Sequence, residues 1–396
     1  MADATIELFP NTIGTVVMRF PYYLTFKSMA FSIVGAGDLV LSGPLSRPVD
    51  GNHVYNHIKV ADSCFANLEM PFSTGEHPAE KLIALRCDPE HSKVVREVGV
   101  DVVTVANNHG MDYGLEGLRT TCAALDKAGV AHVGIGENVQ ESFAPVYKTI
   151  NGTTVAYIGA TTTLPNGSGA GLQRPGLAGV RVFTKYVIDT VTLDESPGMS
   201  PYSETETYKP DEERLLTSIR NAKAKADVVL VAIHWGVPCG WVAATQDEIA
   251  TYQQPLAHAM IDAGASAIFG HHPHVVQGVE FYKDAPVFYS LGNFIFSNNI
   301  VTPGEELRKY PPYNWTSLQV TISNIGALAK LNFDGNKLTR CTLIPFDIAE
   351  DGEPNGATPQ SAELLLSRLL SLSRGRGTAF ELNKLDEGFE VMRTKS

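Results

Sequence analysis

The chain has no CxxC pair and only five cysteines, Cys64, Cys87, Cys122, Cys239 and Cys341, scattered along 396 residues. An odd, dispersed set argues against a disulfide-stapled scaffold and against cysteine-based zinc or redox chemistry; it suits a reducing compartment. Positive charge is scarce too: 31 Lys and Arg against 43 Asp and Glu leave a formal net charge of -12. Nucleic acid and anionic membranes require a concentrated basic patch, so neither is expected as the main partner. A long apolar run is also missing. The richest stretch, residues 12–34, is broken by Arg19, Pro21 and Lys27, and Asp3 and Glu7 precede it. Neither a membrane span nor a secretory signal is expected, and a cytoplasmic location is.

What is there is an ordinary globular composition, 44% hydrophobic and 19% charged, with 35 Gly and 23 Pro to serve many tight turns. The length suits one large α/β domain with insertions or two ordinary domains. Five short β-branched runs lead into loops rich in Gly, Asp, Asn or His. They are 31–34 before Gly35-Ala36-Gly37-Asp38, 62–66 before Asn67-Leu68-Glu69, and 100–105 before Asn107-Asn108-His109. Two more are 227–233 before His234-Trp235-Gly236 and 265–269 before Gly270-His271-His272-Pro273-His274. Helix-spaced apolar residues occupy 116–128 and 248–263, and further strands are expected at 154–159, 287–289, 318–322 and 338–345. This order predicts an α/β fold of two mixed β-sheets packed as a sandwich and flanked by helices. Residues 1–30 read as an N-terminal extension, 31–348 as the main domain, and 349–396 as a linker, a helix and a polar tail. Gly, Pro, Ser and Thr crowd 167–210, so an insertion running over the surface is expected there.

Ligand-type side chains thus stand at the ends of several separate strands, which is where open α/β sheets assemble their sites. Asp38 alone would read as a turn or a helix cap. Its company argues otherwise. His271, His272 and His274 put three imidazoles within five residues behind an apolar strand, and metal ligation accounts for them, with His272 and His274 the better pair. Asn108 offers a neutral oxygen ligand, His109 a proton donor, and Asp112 a carboxylate three residues on to orient that imidazole. His234 ends its strand and reads as a further ligand, because borderline metals take mixed oxygen and imidazole shells. Trp235 is a candidate pocket wall, with simple packing the ordinary alternative. Asn293 is a candidate to hold a water or a substrate amide, with a turn cap the alternative. Arg86 and Arg174 are candidates to meet an anionic substrate.

The ordered set GD, ANLE, NNHGMD, HWG, GHHPHVVQ and YSLGNFIF runs from about Phe31 to Phe296 and resembles the CapA family of poly-gamma-glutamate biosynthesis. That family is similar in fold to the calcineurin-like metallophosphoesterases. The resemblance implies a four-layer αββα sandwich. It implies Asp38 and Glu69 as carboxylate ligands, Glu69 bridging if two ions bind, with Asn67 in support. It further implies Asn108, His234, His272 and His274 as ligands, His109 as the acid, and His271 as a spare or outer group. Two departures from the wider phosphoesterase pattern stand out. Leu39-Val40 follows Asp38 where those enzymes place a histidine two residues on, and Asn67-Leu68-Glu69 replaces their Gly-Asp segment.

The donors suffice for one or two ions of Mn²⁺, Zn²⁺ or Fe²⁺. The family link implies a metal-dependent hydrolase of an amide bond, γ-glutamyl, peptide-like or cyclic, in a small or polymeric acidic substrate. A calcineurin-like phosphatase or phosphodiesterase is one alternative. A non-catalytic component of capsule biosynthesis is the other.

Overall fold

Strands that are apolar on both faces need cover on both sides. Along the strand Ala30–Val40, Phe31 and Ile33 join one buried cluster while Val34 and Ala36 join another. Along Val228–His234, Val228, Leu230 and Ala232 alternate in the same way with Val229, Val231 and Ile233. A computed structural model shows how that cover is arranged; it describes residues 30–394 except 82, 189, 199–200, 237–246, 298–323 and 384–387.

The larger sheet has ten strands. Its main path runs Thr378–Asn383, Gly388–Arg393, Lys337–Ile348, Ile325–Asp334, Ala30–Val40, Ser63–Leu68, Val102–Thr104, Ala131–Val133, with Asn293–Phe296 and Pro354–Gly356 pairing off it. The second has six, in the order Val279–Tyr282, Ala285–Phe288, Ala267–His271, Val228–His234, Thr153–Thr161, Val146–Ile150. The smaller sheet has a parallel centre edged by antiparallel strands, whereas the larger is parallel from Ala30–Val40 out to the edge strand Ala131–Val133 and antiparallel on its other side.

The sheets face each other across an apolar layer in which Phe65 meets Tyr157 and Phe269 edge-on, at centroid distances of 5.3 and 6.3 Å. Helices His53–Lys59, Lys93–Glu97 and Gly114–Ala128 cover the outer face of the larger sheet. Lys209–Lys223 and Gln253–Asp262 cover the smaller one. The expected four-layer αββα sandwich is the one observed.

Two stretches are more ordered than their composition suggests. Within 167–210, Leu177, Ala178 and Val180 are buried, and Val182–Val187 pairs with Tyr202–Thr207 as a two-stranded ribbon. The ribbon is tied by Thr205 N donating to Thr251 Oγ1 at 2.7 Å. The polar tail is corrected as well. Beyond the helix Pro359–Leu372, Thr378–Asn383 and Gly388–Arg393 complete the edge of the larger sheet, with Phe389 and Val391 in the inter-sheet core. Charged residues between them mask that period-two pattern in the sequence. Phe389→Ala is therefore expected to cost about 3–5 kcal/mol in urea unfolding, as for a core aromatic; a solvated tail would show no change. The strand expected at 318–322, most of the N-terminal extension and Cys239 lie outside the described residues.

Candidate metal centre

The carboxyl ends of the parallel strands of both sheets meet at one place. Asp38 lies in register between Asn67 and Asn293 in the larger sheet, and His234 between Thr161 and His271 in the smaller. Two glycines permit the approach. A side chain at Gly37 would stand 2.1 Å from Gly292 O, and one at Gly270 would stand 2.1 Å from Tyr289 O. The loop after Gly270 carries strain, because His272 and His274 adopt φ of 100° and 56°, left-handed values that non-glycine residues rarely take. Strain of that kind costs about 1–3 kcal/mol per residue and collects at functional sites.

The result is a buried cluster of carboxylates and imidazoles. Glu69, His234 and His272 offer ligand atoms within 4.8 Å of one another, and so do Asp38, Glu69 and His274. Glu69 belongs to both triads. Around His234 Nε2, Asn108 Oδ1 lies at 2.8 Å, His272 Nδ1 at 3.1 Å and Glu69 Oε1 at 3.3 Å. Asp38 Oδ2 is 3.3 Å from His274 Nδ1, and Glu69 Oε1 is 3.6 Å from His274 Nε2. Atoms bound to one ion at about 2.1 Å stand roughly 3.0 to 3.4 Å apart at octahedral and tetrahedral angles, and the spacings of His272 Nδ1 and Glu69 Oε1 from His234 Nε2 fall in that range.

The electrostatics agree. Burial pushes Glu69 well above the usual carboxylate range, and the Asp38 charge adds to it. Burial would also raise Asp38, but His271 and His274 outweigh that and hold it well below its ordinary value. Burial lowers His234 far below the usual imidazole value, with His272 adding to the effect, and His272 itself is pushed down to about 3 by burial and then by His274. Neutral imidazoles beside buried carboxylates are the form that ligates metal. Glu69 Oε1 is buried without a hydrogen-bond partner. A divalent cation fits the donors and relieves that orphaned oxygen.

Asparagines support the cluster from within the fold. Asn67 Nδ2 donates to Asp38 Oδ1 at 2.8 Å and sits 3.2 Å from His234 Nδ1. Asn107 Nδ2 donates to Asn67 Oδ1 at 3.0 Å and Leu68 O at 2.7 Å, while its Oδ1 accepts from His109 N at 2.9 Å. Asn293 Oδ1 is 2.9 Å from His274 Nδ1. His109 Nδ1 lies 2.6 Å from Asp112 Oδ2, as the three-residue spacing suggests. Burial lowers the His109 imidazole, and Asp112 partly opposes it.

Trp235 is not in the pocket. Successive residues of an extended chain point to opposite faces, so it lies in the helix-covered layer. There it stacks on Tyr289 and donates Nε1 to Tyr289 O at 2.8 Å. Arg86 and Arg174 are tied to neighbouring loops through Gly75 O and Gly169 O.

Lys81 is the residue that sequence reasoning missed. Its Nζ donates to Asp112 Oδ1 and to Asn108 O, both at 2.7 Å, and lies 3.3 Å from His109 Nδ1. Nothing in its polar surroundings distinguishes it from a solvated lysine. Lys81→Met leaves the buried Asp112 without its cation, and a loss of about 1–3 kcal/mol in urea unfolding is the expected result.

Fold and site together define an α/β two-sheet sandwich with a candidate divalent-metal centre at the carboxyl edges of both sheets. The family model described as bacterial capsule synthesis protein PGA_cap matches residues 33–298, and the chain belongs to that family. It is 30% identical over 347 residues to the capsule biosynthesis protein CapA of Bacillus anthracis, covering 86% of this chain and 70% of that protein. It is 28% identical over 340 residues to the PGA biosynthesis protein CapA of Bacillus subtilis, covering 83% and 75%. The uncharacterized protein y4sH of Sinorhizobium fredii is 28% identical over 425 residues, covering 88% and 90%. The resemblance to the CapA family is thereby borne out. A phosphatase from Mycoplasma pneumoniae matches 85% of this chain and 97% of its own at 14% identity and a TM-score of 0.41, too loose a likeness to assign chemistry.

Proposed function

We propose that this chain is a divalent-metal-dependent hydrolase that cleaves an amide bond, γ-glutamyl or cyclic, in a small or polymeric acidic substrate. The observation that carries this reading is the pair of ligand triads sharing Glu69, set beside a histidine already paired with a carboxylate. Asp38, Glu69, Asn108, His234, His272 and His274 would hold one ion or two of Mn²⁺, Zn²⁺ or Fe²⁺. An ion so held supplies Lewis acidity and acidifies water.

The remaining work falls to this chain's own residues. Asp112 engages His109 Nδ1 and orients the ring, which leaves Nε2 to take the proton released by the attacking water and pass it to the departing amine. Lys81 balances the Asp112 charge. Asn107 fixes the backbone of His109 and, through Asn67, the orientation of Asp38.

Amide cleavage is favoured over phosphoester cleavage by the relatives' association with capsule and PGA synthesis and by Leu39-Val40 after Asp38, where the phosphoesterase pattern has a histidine. No helix among the described residues is long and apolar enough to cross a membrane. Cys64, Cys87, Cys122 and Cys341 are all unpaired, which supports a reducing, cytoplasmic setting as part of the proposal.

The test is a paired assay of γ-glutamyl-p-nitroanilide and bis-p-nitrophenyl phosphate, each with Mn²⁺, Zn²⁺ or Fe²⁺. The expected result is a kcat/KM for the amide at least tenfold above that for the phosphodiester. The reverse ratio would assign a phosphoesterase, and no turnover of either would favour a non-catalytic role.

A further inference from the structure

His271 is fully buried, and neither of its ring nitrogens has a hydrogen-bond partner. A buried imidazole left in that condition is costly and calls for a reason. It stands outside both ligand triads. Its Nδ1 lies 3.1 Å from Asp38 Oδ1, within ion-pair reach.

The two oxygens of Asp38 have different surroundings. Oδ2 faces the ligand cluster, 3.3 Å from His274 Nδ1 and 3.3 Å from the backbone nitrogen of His272. Oδ1 faces the protein, where Asn67 Nδ2 donates to it at 2.8 Å. That amide nitrogen is spread thin. It has two hydrogens and also lies 3.2 Å from His234 Nδ1 and 3.4 Å from Glu69 Oε2. Oδ1 can accept a second donor, and His271 Nδ1, 3.1 Å away, is the group placed beside it.

We infer that His271 is a positioning residue: with the cation bound, its Nδ1–H closes on Asp38 Oδ1, 3.1 Å away, so that Oδ2 is kept for the cation. The inference rests on the metal-centre reading above. Outer partners of metal ligands typically change affinity by about 10–100-fold when removed.

The side-chain nitrogen of asparagine stands near the place of Nδ1 and that of glutamine near the place of Nε2, so the two substitutions separate the roles of the ring atoms. The experiment titrates Zn²⁺ against a chromophoric chelator in wild type, His271→Asn, His271→Gln and His271→Leu. Melting temperatures of the metal-free proteins are recorded in parallel. The expected result is Zn²⁺ binding weakened tenfold to a hundredfold in His271→Gln and His271→Leu but within about threefold of wild type in His271→Asn. Metal-free His271→Leu should melt no lower than wild type, because an unpartnered polar group has been removed from the core.

Equal affinity in all four proteins would overturn the inference and leave the metal centre standing. So would equal weakening in His271→Asn and His271→Gln, or weakening that tracks a lowered melting temperature. Failure of wild type to bind Zn²⁺ would overturn the metal centre, and this inference with it.

Discussion

Replacing His109 by asparagine is expected to lower kcat for the proposed amide hydrolysis by about 10²–10⁴-fold, the usual contribution of a positioned acid. Metal content should stay at the wild-type level. His109 is outside both ligand triads, and asparagine can still bond toward Asp112, which lies 2.6 Å from Nδ1 in the native chain. What the substitution removes is the second ring nitrogen. Steady-state kinetics on γ-glutamyl-p-nitroanilide, with elemental analysis of the same preparation, check both halves. Full activity in the variant would remove His109 from the mechanism, and loss of metal would make it a ligand.

Glu69→Gln is expected to have the largest effect on the centre itself. Glu69 belongs to both triads, it is buried, and its Oε1 is without a hydrogen-bond partner. Glutamine keeps the volume and removes the charge, so metal affinity should fall by more than about a hundredfold, beyond what an outer partner typically contributes. The metal-free variant should be at least as stable as the metal-free wild type, because burial works against the Glu69 charge. The two proteins should differ in their response to metal. Ligand at a hundred times its Kd stabilises a fold by about 2.7 kcal/mol. Wild type should therefore melt several degrees higher with Zn²⁺ or Mn²⁺. Glu69→Gln should show no such shift.

The ligand-bearing loops were legible in the sequence because each follows a short run rich in apolar residues, and because Asp, Asn and His are conspicuous where such a run ends. Asp38, Glu69, Asn108, His234, His272 and His274 converge in the structure for that reason. Residues placed by the path of a loop were not legible. Lys81 reaches Asp112 from a connection with no periodicity, and the buried role of Asn107 depends on the neighbouring strand bringing Asn67 and Leu68 to it. Trp235 shows the converse. Its neighbour His234 points into the site, so alternation along the chain sends Trp235 the other way.

The fold was legible to a similar degree. Strands of β-branched residues stood out, as did the leucine-rich helix Pro359–Leu372. The edge strands Thr378–Asn383 and Gly388–Arg393 did not, since Glu381, Glu390 and Arg393 dilute the apolar alternation that seats Phe389 and Val391. The ribbon Val182–Val187 with Tyr202–Thr207 was hidden in a similar way, by the Gly, Pro and Ser around it.

The most direct test of a metal centre shared through Glu69 is elemental analysis of protein purified without a histidine tag, comparing wild type with His272→Ala and His274→Ala. One or two equivalents of Mn²⁺, Zn²⁺ or Fe²⁺ per chain in the wild type, falling sharply in both variants, is the predicted result. Wild-type protein that holds no stoichiometric metal after all three ions have been supplied would contradict it.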